Sequence, residues 1–403
     1  MKKIVFFLLT CLVAVFLLGG CSAESGRVPV SKTVIDPTCL TEGYTEWTYS
    51  DGYVMRDNFT AKTDHDFVPF TEGTQPGLIR YVCRNCGLEK TEYVGEDIST
   101  EVTVDPLRPR PSFADGEVMI CSMILENTTE DAVRAIRAAE ANGAYGFMVY
   151  VSCLREEDRT LEDLQQIMYC TDLPVLAIAY NVSLFGAQSL SFDDMADLLR
   201  LSVQAGAAAV DLQGFMWSDD TRASLTQYRA YWEAKGFDMS FASANPAEVC
   251  ADPAVLEKQR AFTDEIHAMG AEVLLSVHAS VQMNAGQIVA LGKFMEAQGI
   301  DIAKIVLSGS SKDTVLEHLE ACKVLSEELQ CKFSVHGQST LSRLMCPMFS
   351  SYIAFCVDEY TQVQTNIQIE LDTMADLFED GELKCDLETL VDLFASPEMK
   401  GAR

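Results

Sequence analysis

Lys304 is the residue whose type and setting point most directly to chemistry. It lies inside the apolar run Asp301-Ile302-Ala303-Lys304-Ile305-Val306-Leu307, which places its side chain in a barrel interior or against a helix layer. Both settings disfavour an ammonium, and an amine freed of its proton attacks carbonyl carbon to form a Schiff base. The bland alternative is a lysine whose long stem carries its charge from a strand end to water. One apolar run earlier, residues 273–277 lead into His278, and residues 208–212 lead into Gln213. A lone strand-end His is either a proton shuttle or a hydrogen-bonded structural group. Lys304 and His278 on neighbouring runs favour the shuttle. A second constellation is Cys39, His65, Cys83 and Cys86. It is a Cys3His set of the right number and type for tetrahedral zinc, with the tight Cys-x-x-Cys turn aiming two thiolates at one point. A disulfide with His65 as a turn residue, or free thiols, are the other readings. A fully coordinated zinc has no open position, so none of these is catalytic.

The elements that must position Lys304 and His278 are short apolar runs at 118–123, 146–151, 175–179, 208–212, 273–277, 302–307, 332–335 and 352–355. Between them lie amphipathic segments at 130–142, 192–205, 253–269, 286–298 and 312–329. The first is capped by Thr128 or Thr129 and stopped by Gly143. Strands alternating with helices over residues 116–378 predict a (β/α)8 TIM barrel in an α/β chain, with a doubly wound open sheet as the alternative. No Gly-x-Gly-x-x-Gly follows any strand, which argues against dinucleotide binding. Residues 216–251 exceed an ordinary connection and predict an extra helix or lid. In such a barrel, chemistry gathers at the C-terminal ends of the strands.

Residues 116–378 resemble the type I 3-dehydroquinate dehydratases, Schiff-base barrels that remove water from 3-dehydroquinate. Ser276-Val277-His278 resembles that family's histidine strand. Asp301-Ile302-Ala303-Lys304-Ile305, followed by Ser311-Lys312-Asp313-Thr314-Val315-Leu316, resembles its lysine strand and the following helix. Leu341-Ser342-Arg343-Leu344 is similar to its Ser-Arg-Leu segment, and Val210-Asp211-Leu212-Gln213 to its Asp-Ile-Glu strand. The resemblance implies that Lys304 forms the imine, His278 moves protons and Arg343 grips a substrate carboxylate. Gln213 stands where the resemblance puts the Glu that orients the His. An amide holds an imidazole by a hydrogen bond but gives imidazolium no countercharge. The family's Glu-x-Arg becomes Met148-Val149-Tyr150, its third-strand Arg becomes Tyr180, and its closing-loop Ser and Gln align with Gln362 and Asn366. Tyr150, Tyr180, Gln362 and Asn366 are therefore expected around the substrate. Such chemistry requires no cofactor. The competing expectation is an impaired barrel that binds a keto acid or carbohydrate at the cell surface without turnover. A metal-dependent hydrolase is disfavoured, because His267 and His318 fall mid-helix and only His336 adds a strand-end ligand.

The chain has 403 residues, 60 Asp+Glu against 30 Lys+Arg, and a net charge of −30. A surface so acidic repels phosphate backbones, so nucleic acid is excluded as a partner. Fourteen cysteines over this length are too few for a disulfide-dense scaffold. Lys2 and Lys3, an apolar run to Leu18, and Leu18-Gly19-Gly20-Cys21 resemble a bacterial lipoprotein signal. An uncleaved anchor or a plain secretory signal are the alternatives. Residues 1–20 would be removed, Cys21 lipidated, and residues 21–35 would tether the protein to the extracytoplasmic face of the cell membrane. Residues 36–96 form a small Cys/His module resembling a zinc ribbon. In it, Cys39-Leu40-Thr41-Glu42-Gly43-Tyr44 is echoed by Phe70-Thr71-Glu72-Gly73, and Cys83-Arg84-Asn85-Cys86-Gly87 closes the second copy. The pattern is similar to short cysteine repeats of bacterial surface proteins. Cys121, Cys153, Cys170, Cys250, Cys322, Cys331, Cys346, Cys356 and Cys385 lack ligand spacing and read as small buried hydrophobes. Residues 379–403 predict an acidic helix and tail. A homodimer is compatible with the sequence. Export shifts the expected substrate from the shikimate pathway towards an environmental quinate-like or keto-sugar acid.

Overall fold

A computed structural model of the protein describes residues 29–39, 43–50, 54–63, 65–70, 78–86, 89–93, 98–180, 190–357, 368–379 and 382–383. Cys21, Gln362, Asn366, Cys385 and the amphipathic segment expected in the acidic tail lie outside them. The chain divides into two compact units, Met1–Glu92 and Tyr93–Arg403. No helix among the described residues is long and apolar enough to cross a membrane.

In the first unit, β1 (Pro29–Ile35), β2 (Gly43–Tyr49) and β3 (Val54–Thr60) form an antiparallel sheet. A second sheet contains β4 (Phe67–Phe70), β5 (Leu78–Cys83) and β6 (Glu89–Tyr93). Cys39 lies between β1 and β2, His65 just before β4, Cys83 at the end of β5 and Cys86 in the following turn.

The second unit is a (β/α)8 barrel. Its strands are β7 (Met119–Ile124), β8 (Gly146–Tyr150), β9 (Val175–Ile178), β10 (Ala209–Gln213), β11 (Glu272–His278), β12 (Ile302–Leu307), β13 (Lys332–Gly337) and β14 (Ile353–Val357). They are parallel and neighbour one another in chain order, with β14 returning to β7 and the two-residue β15 (Ile369–Glu370) beside β14. The ring closes where Tyr352 N donates to Phe333 O at 2.7 Å, and where Ser351 Oγ bonds both Val335 N and Val335 O. Every barrel strand overlaps one of the apolar runs in the sequence. The open-sheet alternative is ruled out by this closure.

The helices are α1 (Thr129–Ala141), α2 (Leu161–Tyr169), α3 (Phe192–Ala205), α4 (Thr221–Glu233), α5 (Pro253–Ala268), α6 (Ala285–Glu296), α7 (Lys312–Glu328), α8 (Thr340–Met348) and α9 (Leu371–Leu377). Their starts are written in the sequence: Thr128, Thr160, Ser191, Asp220, Asp252, Asn284, Ser311 and Ser339 each cap a helix with a side-chain oxygen. Such caps satisfy amide donors that the first turn leaves free.

Alternation along the strands sorts side chains between two cores. Val210, Leu212, Val273, Leu275, Val277, Ala303, Ile305, Phe333 and Val335 pack outward into the strand–helix layer. Met119, Cys121, Met148, Tyr150, Leu176, Ile178, Ala209, Leu274, Ile302, Ile353 and Phe355 fill the barrel. With a period of two, Asp211, Gln213, Ser276, His278, Lys304, Ser334 and His336 fall on the inner side. Phe113, fully buried, plugs the N-terminal end. Its amide and that of Ala114 donate to Glu272 Oε2 at 2.7 and 2.9 Å, and its carbonyl accepts from the Tyr352 hydroxyl at 2.7 Å.

Candidate active site and metal centre

Lys304 occupies the middle of β12 and is 4% exposed. Its Nζ lies 3.7 Å from Asp211 Oδ2 and 4.9 Å from the centre of the Phe355 ring. Asp211 is fully buried. Ser276 Oγ donates to its Oδ1 at 2.5 Å, and Gln213 Nε2 donates to its backbone oxygen at 2.8 Å and to its Oδ1 at 3.3 Å. Burial drives the Asp211 carboxyl above the usual carboxylate range, against the opposing charge of Lys304 and the hydrogen bonds from Ser276 and Gln213. The lysine therefore does not snorkel to water. It faces a buried acid across the barrel.

His278 ends β11 with its Nδ1 at 2.9 Å from Glu248 Oε2. The same carboxylate oxygen accepts from the His278 amide at 2.8 Å, and Oε1 accepts from the Tyr180 hydroxyl at 2.7 Å. Tyr180 Oη is also 3.2 Å from His278 Nδ1. Burial raises the Glu248 carboxyl, and the bonds from His278 and Tyr180 more than offset it, leaving the group below its ordinary range. Glu248 is thus an anion that fixes the imidazole tautomer and supports a positive charge on it. Here the expectation for Gln213 is corrected. Its amide is bonded to Asp211, on the same strand, and the carboxylate partner of His278 is Glu248.

The sequence did not mark Glu248 because it arrives from the long excursion between β10 and α5. Gly214 makes that arrival possible: a Cβ there would collide with the Glu248 carbonyl oxygen and with Val277 Cγ1. Ala247 N bonds Ala279 O at 2.7 Å, and Gln259 Nε2 ties down the carbonyls of Gly214 and Met216 at 3.1 Å each. Glu248 itself has φ +60°, a left-handed conformation uncommon for non-glycine residues and frequent at functional sites. The available sequence signal was an acid two residues after an Asn-Pro turn, Asn245-Pro246-Ala247-Glu248.

Arg343, on α8, has a buried Nε without a hydrogen-bond partner among the described residues. Burial lowers its guanidinium to about 10, with Tyr150 and Cys356 opposing. Tyr150 and Tyr180 are buried and line the barrel interior, and burial raises both phenols. The structure thus brings Lys304, His278, Tyr150, Tyr180 and Arg343 to one barrel, whereas Gln362 and Asn366 lie outside the described residues. His267 bonds Asp301 at 2.8 Å and His318 is fully buried, so neither reaches the strand ends as a ligand.

The chain is similar to 3-dehydroquinate dehydratase from Geobacillus kaustophilus, with 15% identity, 69% of this chain and 91% of that one covered, and a TM-score of 0.49. It is similar to the type I enzyme from Clostridium difficile with 17% identity, 66% and 95% coverage and a TM-score of 0.46. The enzyme from Enterococcus faecalis follows at 17% identity, 60% and 89% coverage and 0.44. No protein-family model and no curated protein matches the chain. The barrel is similar to these lyases at a distance.

In the first unit, the ligand atoms of Cys39, His65, Cys83 and Cys86 all lie within 4.8 Å of one another. Cys39 and Cys83 Sγ are 3.9 Å apart, and Cys86 Sγ is 3.4 Å from His65 Nδ1. A zinc tetrahedron with bonds of about 2.3 Å has sulfur–sulfur edges of about 3.8 Å. A disulfide needs about 2.05 Å, so the thiols are separate. Burial raises the Cys83 thiol, but hydrogen bonds from His65 and from the Asn85 and Cys86 amides bring it down to about 6. Low thiol pKa and convergent donors are what a soft cation requires.

Proposed function

We propose that the barrel is a Schiff-base lyase that dehydrates a β-hydroxy ketone carrying a carboxylate, a compound of the 3-dehydroquinate type. The observation that carries this reading is the buried Lys304–Asp211 pair. Asp211 takes a proton from the Lys304 ammonium and the free amine adds to the ketone carbon. Asp211 then returns the proton to the carbinolamine hydroxyl, which leaves as water and gives the iminium. The iminium draws electrons from the adjacent C–H, and His278 removes that proton with Glu248 as countercharge. The β C–O bond breaks with its electron pair on oxygen, and the proton held by His278 completes water. A second water hydrolyses the imine and restores Lys304. Arg343 holds the carboxylate through its guanidinium fork, and Tyr150 and Tyr180 contact the ring of the ligand.

The competing expectation, binding without turnover, draws on the amide at Gln213. The carboxylate of Glu248 on His278 supports the enzyme reading instead. The test is a turnover assay with 3-dehydroquinate, following the ultraviolet absorbance of the conjugated enone that dehydration creates. Turnover that disappears in both Lys304→Ala and His278→Ala supports the lyase. Absence of turnover with 3-dehydroquinate and with other hydroxylated keto acids, in folded protein, overturns it.

The Cys/His module is proposed to hold one structural zinc, read as metal content that is lost in Cys83→Ser. The leader is proposed to place the protein on the outer face of the cell membrane through lipid on Cys21. Metabolic labelling with a fatty acid, abolished by Cys21→Ala, checks it. The proposed partner is the small carboxylated carbonyl compound itself.

A further inference from the structure

His336 is a buried titratable group to which the reaction above gives no task. It is 4% exposed, and neither ring nitrogen has a hydrogen-bond partner among the described residues. Its strand, β13, sends Phe333 and Val335 outward, so the imidazole points into the barrel. It sits opposite Val306, one inward position beyond the Lys304–Ser334 pair. Its ring meets Phe355 edge-on, with centroids 5.1 Å apart, and Lys304 Nζ stands 4.9 Å from the centre of that same ring. Imidazole and amine therefore both contact the Phe355 ring on the inner side of the barrel.

A histidine kept for packing bonds to its surroundings. His318 does so at one nitrogen, with its Nδ1 at 3.0 Å from Ser342 Oγ and its Nε2 without a partner among the described residues. Among the described residues His336 does so at neither nitrogen, and its environment also keeps it from charging. Burial first, then the positive charges of Arg343, Lys304 and His278, hold it well below the ordinary histidine range, with only the Gly337 backbone opposing. A neutral imidazole offers one N–H donor and one lone pair. Leaving both unmet in a buried site is costly, and a ligand hydroxyl, which donates and accepts, answers either of them.

We infer that His336 is a specificity-determining contact that reads a hydroxyl on the ligand, while Arg343 reads the carboxylate and Lys304 the carbonyl. The inference rests on the proposed site but not on its chemistry. It selects polyhydroxylated keto acids over simple keto acids of the same size. A site built to bond a hydroxyl rejects the analogue lacking it far more strongly than an apolar pocket rejects a missing methylene.

The experiment is calorimetric titration of the full-length chain with two carboxylates that lack a ketone. Quinate carries ring hydroxyls, and cyclohexanecarboxylate carries none. Neither forms an imine, so failure of Schiff-base chemistry leaves this measurement intact. The native chain should bind quinate at least about tenfold more tightly than cyclohexanecarboxylate. His336→Phe should bring the two affinities together while leaving cyclohexanecarboxylate binding unchanged, which also reports that the variant is folded. His336→Gln, with a donor and an acceptor of its own, should keep part of the preference. Equal affinities in the native chain, no binding of either compound, or an unchanged preference in His336→Phe would overturn the inference.

Discussion

The two sides of the barrel mouth are built on opposite plans. On the β10–β12 side each polar side chain has at least one partner: Lys304 faces Asp211, Ser276 and Gln213 bond Asp211, and Glu248 bonds His278 and Tyr180, with Asp211 Oδ2 and Gln213 Oε1 left without a hydrogen bond among the described residues. On the β13–α8 side, His336 and the Arg343 Nε are buried with no partner among the described residues. A partnered network holds reacting groups in place before a substrate arrives. Unmet donors and acceptors are a stability cost that a ligand can cancel. Under the proposed function, the contrast separates groups that move protons from groups that recognise the ligand.

The sharpest way to break the partnered side is to remove one member. Asp211→Ala leaves a buried ammonium without its anion and should cost about 3–5 kcal/mol of stability. A denaturant titration against the native chain measures it, and a loss no larger than that of a surface substitution would show that the pair is not buried in solution. Glu248→Gln keeps a hydrogen bond to His278 but removes the countercharge. It should lower kcat by about 10²-fold with little change in KM, whereas the same substitution would be silent if Gln213 were the functional partner.

Acid should expose the buried imidazoles next. Burial lowers His318 from 6.5 to about 4, with Glu317 opposing, and holds His336 well down as well. Both are neutral in the folded chain, and the unfolded chain takes up their protons first. The contribution of His318, about 3 kcal/mol, is therefore complete above pH 6.5 and lost as pH falls to about 4, and that of His336 has the same sign. Tm measured across that window should fall more steeply in the native chain than in His318→Gln. A smaller effect of opposite sign is expected on the recognition side. Arg343→Met should stabilise the ligand-free chain by about 1–2 kcal/mol while raising KM for a carboxylated substrate. Destabilisation would mean that the guanidinium has an anion at rest.

The same division explains what could be read from the sequence. The barrel strands were legible because each is an apolar run buried on both faces, and the helix starts because Thr128, Ser191, Asn284 and Ser311 precede them. Lys304 and His278 were legible because a polar residue in or just after such a run is conspicuous. Cys39, His65, Cys83 and Cys86 declared themselves by type and number, and the fold brings their ligand atoms together. Partnerships were not legible. The family resemblance places Gln213 beside His278, yet its amide bonds Asp211. Glu248 comes from an irregular segment with a left-handed backbone that no periodicity marks. Nor does spacing along the chain show that His336 lacks a partner, because that depends on what packs around it.

Lys304 as the nucleophile is tested most directly by borohydride trapping. The full-length chain would be incubated with 3-dehydroquinate and a panel of hydroxylated keto acids, reduced, digested and sequenced by mass spectrometry. The expected result is a reduced adduct on Lys304 that is absent from Lys304→Ala and weakened in Asp211→Asn. An adduct spread over surface lysines, or none with any carbonyl compound in folded protein, would contradict the account.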